Sequence, residues 1–307
     1  MSSVAAHPSI EILLDGWRER DEISARSVLV TVLGDTVTPL GGVIWLADLI
    51  GLADSFGYND RLVRTSMFRL AADGWVSNER VGRRSRYSLT DFGRAEIADA
   101  SSRIYRRSAL PWDGQWTLIF LAPDSGDAGR ELDRHLRWHG FAQISSDVHA
   151  KPNADVAGGR KLLERLGAPA DTLVASASFD AAGPADARAF RADSGLARAE
   201  AAYEDFVERY EWTGMLRGHE LAAEDAFVLR TMIVHDLRRS RLADPELPVD
   251  LLPDDWIGSR ATTIASAAYS AVDEAAWQWI ESVTGLTADP SDPQLTQRFA
   301  NPAQGFP

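Results

Sequence analysis

Apolar positions in the first third of the chain recur at helical spacing, in short blocks that each begin with a capping residue. Ser24 precedes a block in which Val28, Leu29, Val32 and Leu33 share one side, predicting a helix over residues 25–33 that Gly34 ends. Residues 38–42 (Thr, Pro, Leu, Gly, Gly) read as a turn, and 43–45 as a short strand or the first turn of a helix. A second helix is predicted over 46–56, closed by Gly57. Asn59 or Asp60 caps a third, over 61–73, with Gly74 as its stop. Its apolar positions Leu62, Val63, Met67, Leu70 and Ala71 are spaced for one buried face. Arg61, Arg64, Thr65, Ser66 and Arg69 are left on the remaining surface. Residues 75–81 alternate like a strand, 82–85 form a tight turn, and 86–89 return as a second strand. Thr90 and Asp91 cap a further helix running to about residue 107.

The pattern changes after Pro111, Trp112, Asp113 and Gly114. Strands are predicted over 116–122, 141–150 and 172–178, and helices over 129–139 and 158–166. With the middle strand material folded into two, the order is βαββαβ, which predicts a ferredoxin-like unit. Residues 181–192 are rich in Ala, Gly, Pro and Asp and read as a linker. Beyond them the patterning is helical, over 196–212, 222–240 and 259–284, with a proline-rich crossing from Asp244 to Pro253. The last residues, 287–307, lack an apolar period and are expected as a loose tail. The fold class expected is α+β: a winged helix-turn-helix over 22–108, a ferredoxin-like domain over 109–182 and an α-helical domain over 190–286.

Composition changes this picture in two ways. The chain has no cysteine, which excludes disulfides, thiolate catalysis and Cys-ligated zinc and fits a cytoplasmic protein. No apolar run approaches the ~20 residues that span a bilayer, so no membrane partner is expected. The formal net charge of −13 looks wrong for a nucleic-acid binder, but the charge is unevenly spread. Residues 61–107 hold 11 arginines against 5 carboxylates, whereas residues 108–307 hold 18 basic and 31 acidic side chains. The positive charge therefore coincides with the third helix and the hairpin behind it.

That coincidence carries the chemistry. A 13-residue helix spans roughly 20 Å and fits the DNA major groove, ~12 Å wide. Arg61 and Arg64 lie three apart, and Thr65, Ser66 and Arg69 share their surface. Arginine can hold guanine O6 and N7 with two bonds. The hairpin residues Arg83, Arg84 and Arg86 can reach a neighbouring minor groove or phosphates. An arginine-bearing helix face is ordinarily just solvated, as is a basic hairpin. Their succession within a few residues is what points to double-stranded DNA.

Other residues offer weaker chemistry. His135 and His139 have the spacing of two metal ligands on a helix, with His149 further on. However, Leu136 stands where an HExxH site needs glutamate, and no metal or other cofactor is expected. No catalytic constellation stands out. The rival reading is a nuclease or hydrolase in the ferredoxin-like unit, with Asp124, Asp127 and Asp147 on Mg²⁺. A third reading makes the winged helix a protein-interaction platform.

Two separated motifs carry a family resemblance. Residues 63–76 (Val-Arg-Thr-Ser-Met-Phe-Arg-Leu-Ala-Ala-Asp-Gly-Trp-Val) are followed by 87–93 (Tyr-Ser-Leu-Thr-Asp-Phe-Gly). Far downstream come His235-Asp236-Leu237-Arg238-Arg239, Asp244-Pro245-Glu246-Leu247-Pro248, and residues 251–258 (Leu-Leu-Pro-Asp-Asp-Trp-Ile-Gly). Together they resemble the PaaX family of repressors over about residues 22–285. Leu237 and Ile257 depart from the Tyr and Pro frequent at those places in the family. The resemblance implies the three-domain layout above, a homodimer on operator DNA, and genes of phenylacetic acid degradation. It also implies release by an aryl-CoA thioester, typically phenylacetyl-CoA. Arg238 and Arg239, with Arg241 near them, could take CoA phosphates. Alternatively His235 and Asp236 anchor the proline-rich crossing as a structural network, and this is the reading preferred, because adjacent helix positions point to different sides.

Overall fold

The chain is seen in a computed structural model that describes residues 12, 13, 15–17, 23–106, 112–122, 126–153, 155–178, 195–215 and 221–299. The linker expected over 181–192 lies outside them. The fold is α+β with two antiparallel sheets, divided into two compact units. One comprises residues 1–106, 207–238 and 262–307; the other comprises 107–206 and 239–261. The C-terminal helical residues are thus shared between the units.

In the first unit, α1 (Ala25–Val32) starts where the Ser24 side chain accepts the Ser27 N–H at 3.2 Å. Gly34 does not end it. The helix continues as a π-turn over Leu33–Val37, closed by Thr38 N–H to Leu33 O at 2.9 Å. The cause is tertiary: the extra turn carries Asp35 and Thr36 into the interior, where each finds a guanidinium partner (below). Strand β1 (Val43–Trp45) leads into α2 (Leu46–Asp54), which buries Leu46, Leu49, Leu52 and Ala53. Helix α3 (Asp60–Ala72) is capped by Asn59, whose side chain accepts from Leu62 N–H at 3.0 Å. It stops at Gly74, which has φ +76, where Gly74 and Trp75 N–H reach back to Ala71 and Leu70.

Strands β2 (Val76–Val81) and β3 (Arg84–Leu89) form a hairpin, and β1 adds to it in the order β1-β3-β2. The hairpin turn is narrower than predicted: Val81 already pairs with Arg84, leaving Gly82 (φ +61) and Arg83 at the tip. Thr90 caps α4 (Asp91–Ile104) by accepting Gly93 N–H at 3.0 Å. A Cβ at Gly93 would stand 2.1 Å from Trp75 O, so only glycine lets α4 lie this close to the chain leaving α3.

Parts of two long helices complete this unit: α8 (Ala223–Ala243) as far as Arg238, and α9 (Gly258–Thr284) from Thr262. Phe227 meets Phe56, with ring centroids 5.5 Å apart. At the centre Arg230 is fully buried, with Nη2 2.9 Å from Asp35 and Nη1 2.9 Å from Asp273; Nη2 also donates to Thr36 at 3.1 Å. Arg298 approaches Asp35 from another side at 3.0 Å and donates to the Tyr269 hydroxyl at 2.6 Å. Tyr105 donates to the same Asp35 at 2.6 Å. Burial alone would raise the Asp35 pKa, but Arg230, Arg298 and the two tyrosine hydroxyls outweigh it and hold the carboxyl below its usual range. The segment expected as a loose tail is therefore docked as far as Phe299, which is buried against Tyr105 and Tyr269. An ion pair and one aromatic ring anchor it, and neither leaves a periodic signal. Residues 300–307 lie outside the described chain.

In the second unit, β4 (Gln115–Phe120), α5 (Gly126–Trp138), β5 (Ala142–Ser145), β6 (Val148–Pro152), α6 (Val156–Arg165) and β7 (Leu173–Ser178) follow in order. The sheet runs β5-β6-β4-β7, every neighbour antiparallel. One core joins Ile119 to Leu132, Leu136, Phe141 and Leu163. Another places Trp116 and Ala150 with Leu196, Leu247 and Leu251. The first part of α7 (Leu196–Tyr210) and the proline-rich crossing supply that second cover.

Candidate nucleic-acid interface

Helix α3 turns Val63, Ser66, Met67 and Leu70 inward. These positions follow i, i+3, i+4, i+7, so Ser66, 5% exposed, belongs to the buried stripe and is turned away from the surface a ligand would meet. Leu62, assigned to the buried face from sequence, is 41% exposed. Arg61, Arg64, Thr65 and Arg69 are exposed. Arg64 pairs with Asp60 one turn earlier, and Thr65 Oγ1 donates back to Arg61 O at 2.8 Å. Arg61 and Arg69 have no ion-pair partner among the described residues.

The β2–β3 hairpin follows α3 in the chain, with Arg83 exposed at its tip and likewise without an ion-pair partner among the described residues. Arg84 lies over the Trp45 ring at 4.3 Å and within 4.0 Å of Asp48; Arg86 is 5.8 Å from the same ring and 2.5 Å from Glu79. The β1–β3 register explains this, since Trp45 lies opposite Arg86. Trp45 thus splints two of the three hairpin arginines, a role sequence reading did not find. The other residue missed is Phe68, 73% exposed on α3. Its spacing of seven from Arg61 was the available signal.

The downstream motif folds as structure. His235 is buried, its Nδ1 3.2 Å from Thr31 Oγ1 and its ring edge-on to Trp17. Asp236 accepts from Arg209 and from the Tyr210 hydroxyl, each at 2.9 Å. Arg238, offered from sequence as one possible phosphate ligand, is 8% exposed and donates to Ser27 O and Oγ at 3.2 and 2.7 Å. Arg239 is exposed. In the other unit, Asp244 accepts from the Tyr203 hydroxyl and from Glu246 N–H, both at 2.8 Å, which holds the Asp-Pro-Glu turn with Glu246 at φ +52.

The histidines weighed as metal ligands do not converge with acidic side chains on one point among the described residues. His149 Nε2 is 2.9 Å from Asp133, His135 is 3.8 Å from Glu131, and His139 is buried with its carbonyl accepting from Lys151. Of the three aspartates weighed for Mg²⁺, Asp127 pairs with Arg130 and Asp147 accepts from Ser146. Asp124 lies outside the described residues. Among those residues no three His, Asp or Glu side chains gather as a metal site, and no helix is long and apolar enough to cross a membrane.

Residues 24–93 match the family described as PaaX-like protein, and residues 195–282 match the PaaX-like protein C-terminal domain. The chain is 32% identical over 263 residues to the transcriptional repressor PaaX of Escherichia coli, covering 84% of this chain and 83% of that protein. Among solved structures it is similar to an uncharacterized protein of Mycobacterium tuberculosis. That likeness has a TM-score of 0.47 at 20% identity, over 85% of this chain and 98% of the other.

Proposed function

This chain belongs to the PaaX-like family, and from that premise we propose that it is a transcriptional repressor reading operator DNA with α3. It is a regulator, not an enzyme. The observation that carries the reading is the exposed stripe of Arg61, Arg64, Thr65 and Arg69 opposite the buried stripe of α3, within one small unit that also holds an arginine-tipped hairpin. Helices α1, α2 and α3 followed by β2 and β3 have the order of a winged helix-turn-helix. In this reading α3 enters the major groove, where Arg61, Arg64 and Arg69 meet base edges and phosphates. Arg83, Arg84 and Arg86 of the wing grip the backbone or minor groove. The β5-β6-β4-β7 order supports a ferredoxin-like middle domain.

The resemblance supports the rest: a homodimer on a palindromic operator, working in the cytoplasm, in control of an aromatic-acid catabolic operon of the phenylacetate type. An aryl-CoA thioester, in the first instance phenylacetyl-CoA, releases the DNA by shifting the spacing of two recognition helices that must meet half-sites ~34 Å apart. The buried engagement of Arg238 with Ser27 supports a structural role for it, leaving exposed Arg239 as the phosphate candidate of the pair.

The test is a gel-shift titration. Arg64→Ala is expected to weaken operator binding by about 1–3 kcal/mol and to blur one base preference. Unchanged affinity and preference would remove Arg64 from the interface. A panel of acyl-CoA esters and free acids checks release: one aryl-CoA should dissociate the complex, and a panel without effect refutes the effector while sparing the DNA reading.

A further inference from the structure

Phe68 is the one aromatic side chain among the described residues that is exposed, and it sits in the middle of the arginine stripe. Seven residues after Arg61, it returns to within about 20° of the same direction around α3, straight away from the buried Val63, Ser66, Met67 and Leu70. Arg64 and Thr65 lie one turn before it on that surface. Leu62, the other large apolar side chain exposed on the helix, projects about 120° away, and the small Ala71 and Ala72 lie one turn after the ring. The ring therefore stands among cationic and hydroxyl groups and two alanines, with no second large apolar side chain beside it on the helix to build the broad apolar patch that a protein partner needs. Its match is a surface that is anionic overall but offers one apolar point at the depth a helix reaches. In duplex DNA that point is the C5 methyl of thymine on the floor of the major groove.

Resting on the proposed DNA-binding role of α3, we infer that Phe68 is a specificity-determining residue that reads a thymine methyl group. Arginines select guanine edges by hydrogen bonds, and Phe68 adds selection at a neighbouring base by shape and desolvation. At 73% exposure the ring buries little surface in the fold, so its removal should leave the unit intact.

The experiment selects duplexes from a random-sequence pool with the full chain, then replaces each thymine of the selected site singly by deoxyuridine. This deletes the methyl and leaves every pairing edge in place. At one position per half-site the wild type is expected to lose affinity on the order of four-fold, the weight of one buried methyl-sized group. Phe68→Ala, with unchanged melting temperature, should bind the thymine duplex more weakly and no longer distinguish it from the deoxyuridine duplex. Wild-type indifference to every replacement, or a Phe68→Ala variant that keeps the discrimination, overturns the inference while leaving the repressor reading intact. A Phe68→Ala variant that changes oligomeric state in place of base preference overturns it in favour of an interface between copies. If no duplex is enriched at all, the repressor reading fails first and this inference with it.

Discussion

Replacing Arg230 by Met removes a charge from the centre of the first unit while nearly preserving side-chain volume. Arg230 is fully buried, its guanidinium shared between Asp35 and Asp273 at 2.9 Å each and Thr36 at 3.1 Å, and stacked 4.7 Å from the Trp277 ring. Breaking a buried ion pair from one side costs about 3–5 kcal/mol, mostly because the partner charge is left without compensation. Here the penalty falls at the low end, about 3 kcal/mol, because Arg298, Tyr105 and Tyr269 still serve Asp35. Asp273, 35% exposed, can turn to water. For a unit of this size each kcal/mol moves the melting temperature by about 2–4 °C, so the expected drop is about 6–12 °C by circular dichroism. A cycle with Asp35→Asn isolates the pair: the two changes together should cost less than their sum by about 0.5–3 kcal/mol.

The acid side gives a second readout. Asp35 has a folded pKa below its usual value, so its contribution is present above the unfolded pKa and is lost as pH falls through the folded one. Arg230→Met raises that folded pKa, and the acid transition of the unit should move to higher pH. A melting temperature within about 2 °C of wild type, less than one kcal/mol on this scale, or strict additivity with Asp35→Asn, would refute the reasoning that this network joins the N- and C-terminal parts of the first unit.

Two further outcomes follow from the described geometry. Trp45→Ala removes the ring under Arg84 and Arg86; the hairpin arginines lose their splint, and on the proposed reading DNA affinity should fall by about 1 kcal/mol in gel-shift titrations with the salt slope retained, because every cation remains. His149 is buried beside Asp133; desolvation lowers its pKa and the carboxylate only partly offsets this. A histidine with a depressed folded pKa contributes stability that is present above its unfolded pKa, about 6.5, and lost as pH falls through the folded value. His149→Gln should therefore flatten the decline of stability below about pH 6.5 in urea titrations, and a slope equal to wild type would exclude His149 as its source.

Much of the N-terminal unit was legible because its signals are local. Ser24, Asn59 and Thr90 each cap the helix that follows, and Gly74 stops α3, through hydrogen bonds spanning a few residues. Where tertiary partners decide, the sequence was silent. Gly34 reads as a stop, yet the helix continues because Asp35 is drawn to Arg230 and Arg298, about 200 and 260 residues away in the chain. The same pairing made residues 287–299 look loose. Ser66 is different: the i, i+3, i+4, i+7 run from Val63 already placed it inward, and its polarity drew it wrongly to the surface set. Trp45 became informative only once the β1–β3 register set it against Arg86.

Arg61 and Arg69 of α3 and Arg83 of the hairpin tip are exposed cations, and the proposed reading places them on DNA phosphates. Measuring the association constant for a selected duplex against salt concentration, for wild type and for the combined Arg61→Ala, Arg69→Ala, Arg83→Ala variant, tests their role directly. Each arginine withdrawn from a phosphate should flatten the logarithmic slope by about 0.9. The expected result is a slope shallower by up to about 2.7 for the three together, with unaltered folding. An identical slope and affinity in the triple variant would contradict it.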